Sequence, residues 1–241
     1  MANAYQIVGH RGWPERFPEN TLPGLVAAAQ SGAHAVELDV QLTKDRVCVV
    51  LHDPDLTRVA GDGRHINELT LAQLAGISVH EQARLGRVHY PTPVATLAQV
   101  CEALAKEDLS LFIELKEESL GLVSEQEFVS LALEQSIAAI KQRVLISFSD
   151  TMVDIAKNDY GARTGWVLSD YCAEQLARLA TLSPDVAIID YKKIPQDTRS
   201  VAGGNWSWFV YDVVDKNIRD WCVDIGITYI ETWDIAAVLA R

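Results

Sequence analysis

Ionisable residues gather where short apolar runs of this chain end, and their types suit phosphate chemistry. The first run closes on Gly9-His10-Arg11-Gly12. Histidine is well suited to proton transfer near neutral pH, and arginine grips phosphate through two parallel hydrogen bonds. Gly12 lets backbone approach closely. By itself His10 reads equally well as a satisfied structural histidine. A second run carries Glu37-Leu38-Asp39. Residues two apart on a strand share a face, and two carboxylates on the inner face of a barrel repel unless a cation lies between them. Hard oxygen donors at an accessible spot suit Mg2+ or Ca2+; the alternative is a pair solvated at the rim. A third run ends in Leu51-His52-Asp53, whose histidine taken alone is again as easily structural. The fourth carries Glu114-Leu115-Lys116, where the same period sets an acid and a base on one face. A buried structural ion pair is the alternative there.

The set is more specific than its members. Glu37, Asp39 and Glu114 form a candidate site for one divalent metal ion, Mg2+ or Ca2+. His10 and His52 form a candidate acid–base pair, and Arg11 and Lys116 are candidate phosphate clamps. Hydrolysis of a phosphodiester needs this equipment.

Such residues converge only if the elements carrying them end at one face. Nine β-rich runs cover 5–9, 34–39, 46–51, 109–115, 144–148, 163–168, 186–190, 207–211 and 227–231, most of them nearly all apolar. That is the pattern of parallel strands buried on both faces. Helical patterns fill the gaps at 22–31, 150–159, 172–181, 215–224 and 235–240. Thr70, Thr96 and Ser124 each precede a helical stretch with Gln or Glu three positions on, a capping-box pattern. Alternation of this kind predicts an α/β chain folded as a (β/α)8 TIM barrel, whose catalytic groups sit at the carboxyl ends of strands.

Nine strands are one too many. The gap from Asp39 to Arg46 is too short for a parallel crossover, and Thr43-Lys44-Asp45 reads as a tight turn. Residues 40–51 are therefore expected to rise from the barrel top and fold back as a hairpin, returning His52 to the mouth. Residues 53–108 form a small insertion after His52, partly helical, and residues 1–241 read as a single domain.

The chain has 241 residues, 49% of them hydrophobic, and a formal net charge of -12. Such acidity argues against nucleic acid and anionic membranes as partners. No apolar run approaches membrane-spanning length, so no membrane anchor is expected. The four cysteines, Cys48, Cys101, Cys172 and Cys222, show no metal-ligand spacing and read as buried reduced thiols. The N-terminus lacks a basic stretch followed by an apolar one, so a cytoplasmic protein is expected. A homo-oligomer is compatible with the sequence. His34, His65, His80 and His89 read as surface or loop residues with no assigned role.

The sequence closely resembles the glycerophosphodiester phosphodiesterases. The likeness rests on His10-Arg11-Gly12, Pro18-Glu19-Asn20-Thr21, Glu37-Leu38-Asp39-Val40, Thr43-Lys44-Asp45, His52-Asp53 and Glu114-Leu115-Lys116, with residues 93–100 resembling the family's helix entry after its small insertion and Ser147-Phe148 matching a later strand end. The resemblance implies a β/α barrel, with Glu37, Asp39 and Glu114 as metal ligands and His10 and His52 as acid and base. It implies phosphate binding by Arg11 and Lys116. Glu19 and Asn20 would brace the site, Glu19 by pairing with Arg11. The implied reaction converts a small soluble glycerophosphodiester and water to glycerol 3-phosphate and an alcohol.

The C-terminal part departs from the family pattern. Trp208-Phe209-Val210-Tyr211 stands where the family has Trp-Thr-Val-Asn, and Glu231-Thr232-Trp233-Asp234 replaces Thr-Asp and an aromatic-Pro pair. Tyr211 and Trp233 are candidates for the alcohol pocket, or alternatively for packing. Three other readings stand beside the main one. They are a related enzyme for a lysophospholipid or sugar phosphodiester, a non-catalytic binding barrel, and a metal-dependent lyase or aldolase on the same fold.

Overall fold

The uniformly apolar runs become strands because both of their faces are covered. In the computed structural model, which describes residues 5–239, the chain runs through β1 (Gln6–Gly9), α1 (Leu22–Gln30), β2 (Ala35–Leu42) and β3 (Cys48–Val50). There follow β4 (Asp55–Leu56), α2 (Thr57–Ala60), β5 (Asp62–His65), α3 (Leu71–Leu74), α4 (Gln82–Leu85), α5 (Leu97–Leu104) and β6 (Ser110–Leu115). Helix and strand then alternate as far as β9: α6 (Glu125–Gln135), β7 (Arg143–Ser147), α7 (Asp150–Asn158), β8 (Thr164–Val167), α8 (Ala173–Leu182) and β9 (Val186–Asp190), after which only a 3-10 turn over Tyr191–Lys193 precedes the next strand. It closes with β10 (Ser207–Tyr211), α9 (Lys216–Asp224), β11 (Tyr229–Thr232) and α10 (Ile235–Leu239).

Parallel pairing runs β1-β11-β10-β9-β8-β7-β6-β2, and β2 returns to β1, so eight strands close a (β/α)8 barrel. The two faces of each strand divide the core. Inward side chains such as Val8, Phe112, Ile188, Phe209 and Tyr229 fill the barrel floor, where Phe112 meets Phe209 and Tyr229 edge-on at 5.0 and 5.3 Å. Their neighbours, among them Ile7, Leu38, Leu111 and Val210, point outward into a layer shared with Leu25, Val100, Phe128 and Val153 of the helices. With the floor filled by apolar groups, the inward polar residues sit above it, toward the carboxyl ends.

The ninth run behaves as the short gap requires. β3 pairs antiparallel with β2, Val40 opposite Val50 and Leu42 opposite Cys48. Thr43 closes the turn, its hydroxyl donating to Asp45 and accepting from Val47 N, while Arg46 takes a left-handed φ of 62°. Gln41 then donates from Nε2 to His52 O at 3.0 Å and accepts from the Ser119 hydroxyl at 2.8 Å, which fixes where the chain leaves the hairpin. The insertion after His52 packs around its own small core of Leu56, Val59, Ile66 and Leu74. It contains an antiparallel pair, β4 with β5, that its weak periodicity concealed.

Thr70 and Thr96 form complete capping boxes with Gln73 and Gln99. Ser124 caps α6 by accepting from Glu127 N, but the box is not completed; the Glu127 carboxylate bonds Arg46 instead. Cys48, Cys101 and Cys222 are buried, whereas Cys172 is only half-buried, at the N-cap of α8. His80 is not a surface residue; it is buried, with its Nδ1 2.9 Å from the Ser78 hydroxyl. The closing helix is described to Leu239; Ala240 lies outside the described residues.

Candidate active site

β2 and β6 lie side by side in register, Asp39 opposite Glu114, so their inward carboxylates share one region. Carboxylate oxygens of Glu37, Asp39 and Glu114 lie within 4.8 Å of one another. Lys116 donates to Glu114 at 2.8 Å and stands 3.4 Å from Asp39. The three acids respond differently. Burial and then Asp39 push Glu37 well above the ordinary carboxylate range. Burial acts on Asp39 as well, but Arg11 and Lys116 outweigh it and hold Asp39 at about 2. Burial and Asp39 lift Glu114 to about 7 against the opposing pull of Lys116. Glu37 Oε1 is buried with no hydrogen-bond partner.

The loop after β1 wraps this cluster. Arg11 and Asn20 are left-handed, with φ of 51° and 53°, and Gly12 has φ of 91°. A Cβ on Gly12 would stand 2.8 Å from the Gly24 backbone, so the turn needs glycine for its angle and for its closeness. The loop aims Arg11 three ways. Its N–H donates to Glu37 at 2.9 Å, its Nη1 donates to Glu19 at 3.0 Å, and its Nε lies 3.2 Å from Asp39. Asn20 donates to Asp39 Oδ2 at 2.7 Å.

The insertion contributes the other flank. His52 Nδ1 lies 2.6 Å from Asp53, Arg58 Nε donates to Asp53 at 2.7 Å, and Arg58 donates twice to Glu19 at 2.7 and 2.8 Å. A chain of charge therefore runs from His52 through Asp53, Arg58 and Glu19 to Arg11.

His10 closes the ring from β1. Its Nδ1 is buried and makes no hydrogen bond, although Asp212 and Glu231 approach it to 3.4 and 3.7 Å. Burial, reinforced by Arg11 and opposed by Asp212, lowers its pKa. Asp212, at a left-handed φ of 66°, accepts from Trp233 Nε1 at 2.7 Å. The Trp233 ring stands edge-on to His10 at 5.7 Å.

These residues enclose a cavity of about 250 Å3. His10, Arg11, Glu37, His52, Glu114 and Lys116 line it together with the apolar Ile146, Phe148, Val167, Ile188 and Phe209. Tyr211 and Trp233 both reach it. A second, more open cavity of about 600 Å3 shares Arg11, His52 and Trp233 with the first and extends past Arg58 and Arg84. Every candidate named from sequence lies in or directly behind these two cavities. Asp212, Glu231 and Arg58 were missed. Glu231 could have been found by alternation, since it stands two residues after inward Tyr229. Arg58 had no such signal, because only the fold of the insertion brings it to Glu19.

The sequence profile of the Glycerophosphoryl diester phosphodiesterase family matches residues 10–232. A glycerophosphodiester phosphodiesterase of Caldanaerobacter subterraneus subsp. tengcongensis is 34% identical over 114 residues, 46% of this chain and 44% of that protein. The chain spans less than half the length of that relative. A glycerophosphodiester phosphodiesterase from Thermotoga maritima has a similar structure, with a TM-score of 0.77 and 26% identity over 98% of this chain and 96% of its own. An Oleispira antarctica phosphodiesterase solved with the product sn-glycerol-3-phosphate has a TM-score of 0.85 at 23% identity, covering 97% and 94%.

Proposed function

This chain belongs to the glycerophosphoryl diester phosphodiesterase family, and on that premise we propose that it is a metal-dependent hydrolase, a single catalytic domain that cleaves small soluble glycerophosphodiesters in the cytoplasm to glycerol 3-phosphate and an alcohol. The carrying observation is the convergence of the Glu37, Asp39 and Glu114 carboxylates, with Glu37 and Glu114 lining one cavity beside His10. The trio fits a divalent ion. It offers hard oxygen donors, and Glu37 Oε1 is buried without a partner. Glu37, Asp39 and Glu114 would hold Mg2+ or Ca2+. When bound, the ion supplies polarisation of a phosphoryl oxygen and lowers the pKa of a hydroxyl or water.

The protein's own groups do the rest. Arg11 and Lys116 bind the phosphate and stabilise charge that grows in the transition state, each worth roughly 2–4 kcal/mol. Of His10 and His52, one takes the proton of the nucleophile and the other protonates the leaving alcohol. Glu19 and Asn20 brace Arg11 and Asp39. Tyr211 and Trp233 border the space for the alcohol. The apolar part of the lining, with Phe148 and Phe209, favours a second reading in which the alcohol is less polar, as in a lysophospholipid.

The test is glycerol 3-phosphate release from glycerophosphocholine with Mg2+, Ca2+ or EDTA, using the wild type and His10→Ala. Release that needs metal and is lost in His10→Ala is expected. A folded, metal-binding protein with no release from a panel of headgroups would overturn the substrate assignment.

A further inference from the structure

We infer that the barrel mouth binds a second divalent cation between His10, Glu37 and Glu231, with Glu37 bridging it to the first. This rests on the reading above that Glu37, Asp39 and Glu114 hold one ion.

Ligand atoms of His10, Glu37 and Glu231 lie within 4.8 Å of one another. What distinguishes this trio is lack of satisfaction. Asp39 is held by Asn20 and stands beside Arg11 and Lys116, and Glu114 is held by Lys116. On the other side, His10 Nδ1 and Glu37 Oε1 are buried without partners. The Glu231 side chain is 4% exposed, lines the cavity, and accepts no hydrogen bond from any described residue. Burying one such group without a partner is costly. Two such buried atoms, with the Glu231 carboxylate converging on them, mark the place of a missing positive ligand.

The charge balance points the same way. Glu37, Asp39, Glu114, Asp212 and Glu231 face the cavity or lie just behind it, against the permanent charges of Arg11 and Lys116. One divalent ion leaves that balance negative, and a phosphodiester anion would have to enter it. A second makes it positive by about the charge the substrate brings. Carboxylate oxygens suit Mn2+ or Mg2+, and the added imidazole nitrogen favours the transition ion, Mn2+, over Mg2+. Paired ions sharing a ligand are a recurring arrangement for displacement at phosphorus. Glu231 also occupies an inward position where barrel strands bury branched apolar residues, so its carboxylate calls for a counter-charge.

The protein is stripped with chelator, and bound Mn2+ is counted by equilibrium dialysis and metal analysis, for the wild type and Glu231→Gln. Two ions per wild-type chain are expected, with the spin-coupled signal of a close Mn2+ pair at low temperature. Glu231→Gln should hold one uncoupled ion. One ion per wild-type chain, or two that are uncoupled and unaffected by Glu231→Gln, would overturn the inference and leave the first site standing. No bound metal would overturn both. The wild-type count and its coupling decide the matter even if the variant fails to fold.

Discussion

Asn20 grips Asp39 from both ends of its amide: Nδ2 donates to Asp39 Oδ2 at 2.7 Å, and Oδ1 accepts from Asp39 N at 3.1 Å. The grip depends on the left-handed φ of 53° at Asn20, a conformation that asparagine tolerates better than most residues. It fixes the carboxylate rotation and leaves Oδ1 directed toward Lys116.

Groups that orient a metal ligand typically contribute ten- to a hundredfold in metal affinity. Asn20→Ala is therefore expected to weaken Mg2+ or Ca2+ binding by about that factor while the protein stays folded. Calorimetric titration measures it, and an unchanged affinity would show that Asp39 needs no such hold.

Much of this was legible beforehand, for reasons visible in particular residues. The hairpin followed from the few residues between Asp39 and Arg46, and the Thr70 and Thr96 boxes from a fixed spacing. Partners chosen by tertiary structure were not legible. Glu127 carries the capping spacing but is drawn off by Arg46, which lies 81 positions away. Arg58 reaches Glu19 across 39 positions. Asp212 follows the end of β10 and gains its importance only when Trp233 turns back onto it.

The Glu19 hub should reveal itself by unequal costs. Its carboxylate is 9% exposed and serves both Arg11 and Arg58, whereas the Arg58 side chain is 43% exposed. Glu19→Ala removes charged hydrogen bonds from the partly buried Arg11, at a cost of about 1.5–3 kcal/mol. In Arg58→Ala, Glu19 keeps Arg11 and the lost partner was largely solvated, so about 1 kcal/mol or less is expected. Urea unfolding of the two variants tests this; equal costs would mean that Glu19 is not a hub.

Metal removal should make stability depend on pH with a definite sign. Burial and Asp39 raise Glu114 to about 7 in the folded chain, and Glu37 and Glu231 are also raised. The folded state thus binds these protons more tightly than the unfolded state does. Their contribution is fully present below the unfolded value near 4.5 and is lost as pH rises through the folded values. Chelated protein should therefore melt at progressively lower temperature from about pH 5 upward through 7. Added metal should raise the melting temperature more at pH 7.5 than at pH 5, and should release protons on binding. A metal-induced shift that is the same at both pH values would contradict this.

The last expectation concerns Trp233, which sits at the mouth and could touch substrate or act through Asp212. Its indole N–H donates to Asp212 Oδ1 at 2.7 Å, the same oxygen that lies 3.4 Å from His10 Nδ1. That carboxylate is held at about 2, first by His10 and then by Trp233. It adds negative charge beside the ring and favours whatever positive charge Nδ1 carries, proton or cation. Trp233→Phe keeps an aromatic edge near His10 but removes the donor. A hydrogen bond to a charged group contributes about 1.5–3 kcal/mol, so a Trp233 that acts through Asp212 implies a roughly ten- to hundredfold fall in kcat. KM should change little, and Asp212→Asn should reproduce the pattern. If Trp233→Phe instead raises KM with kcat intact, the indole binds the alcohol directly. The split between kcat and KM therefore assigns Trp233 either to His10 or to the substrate.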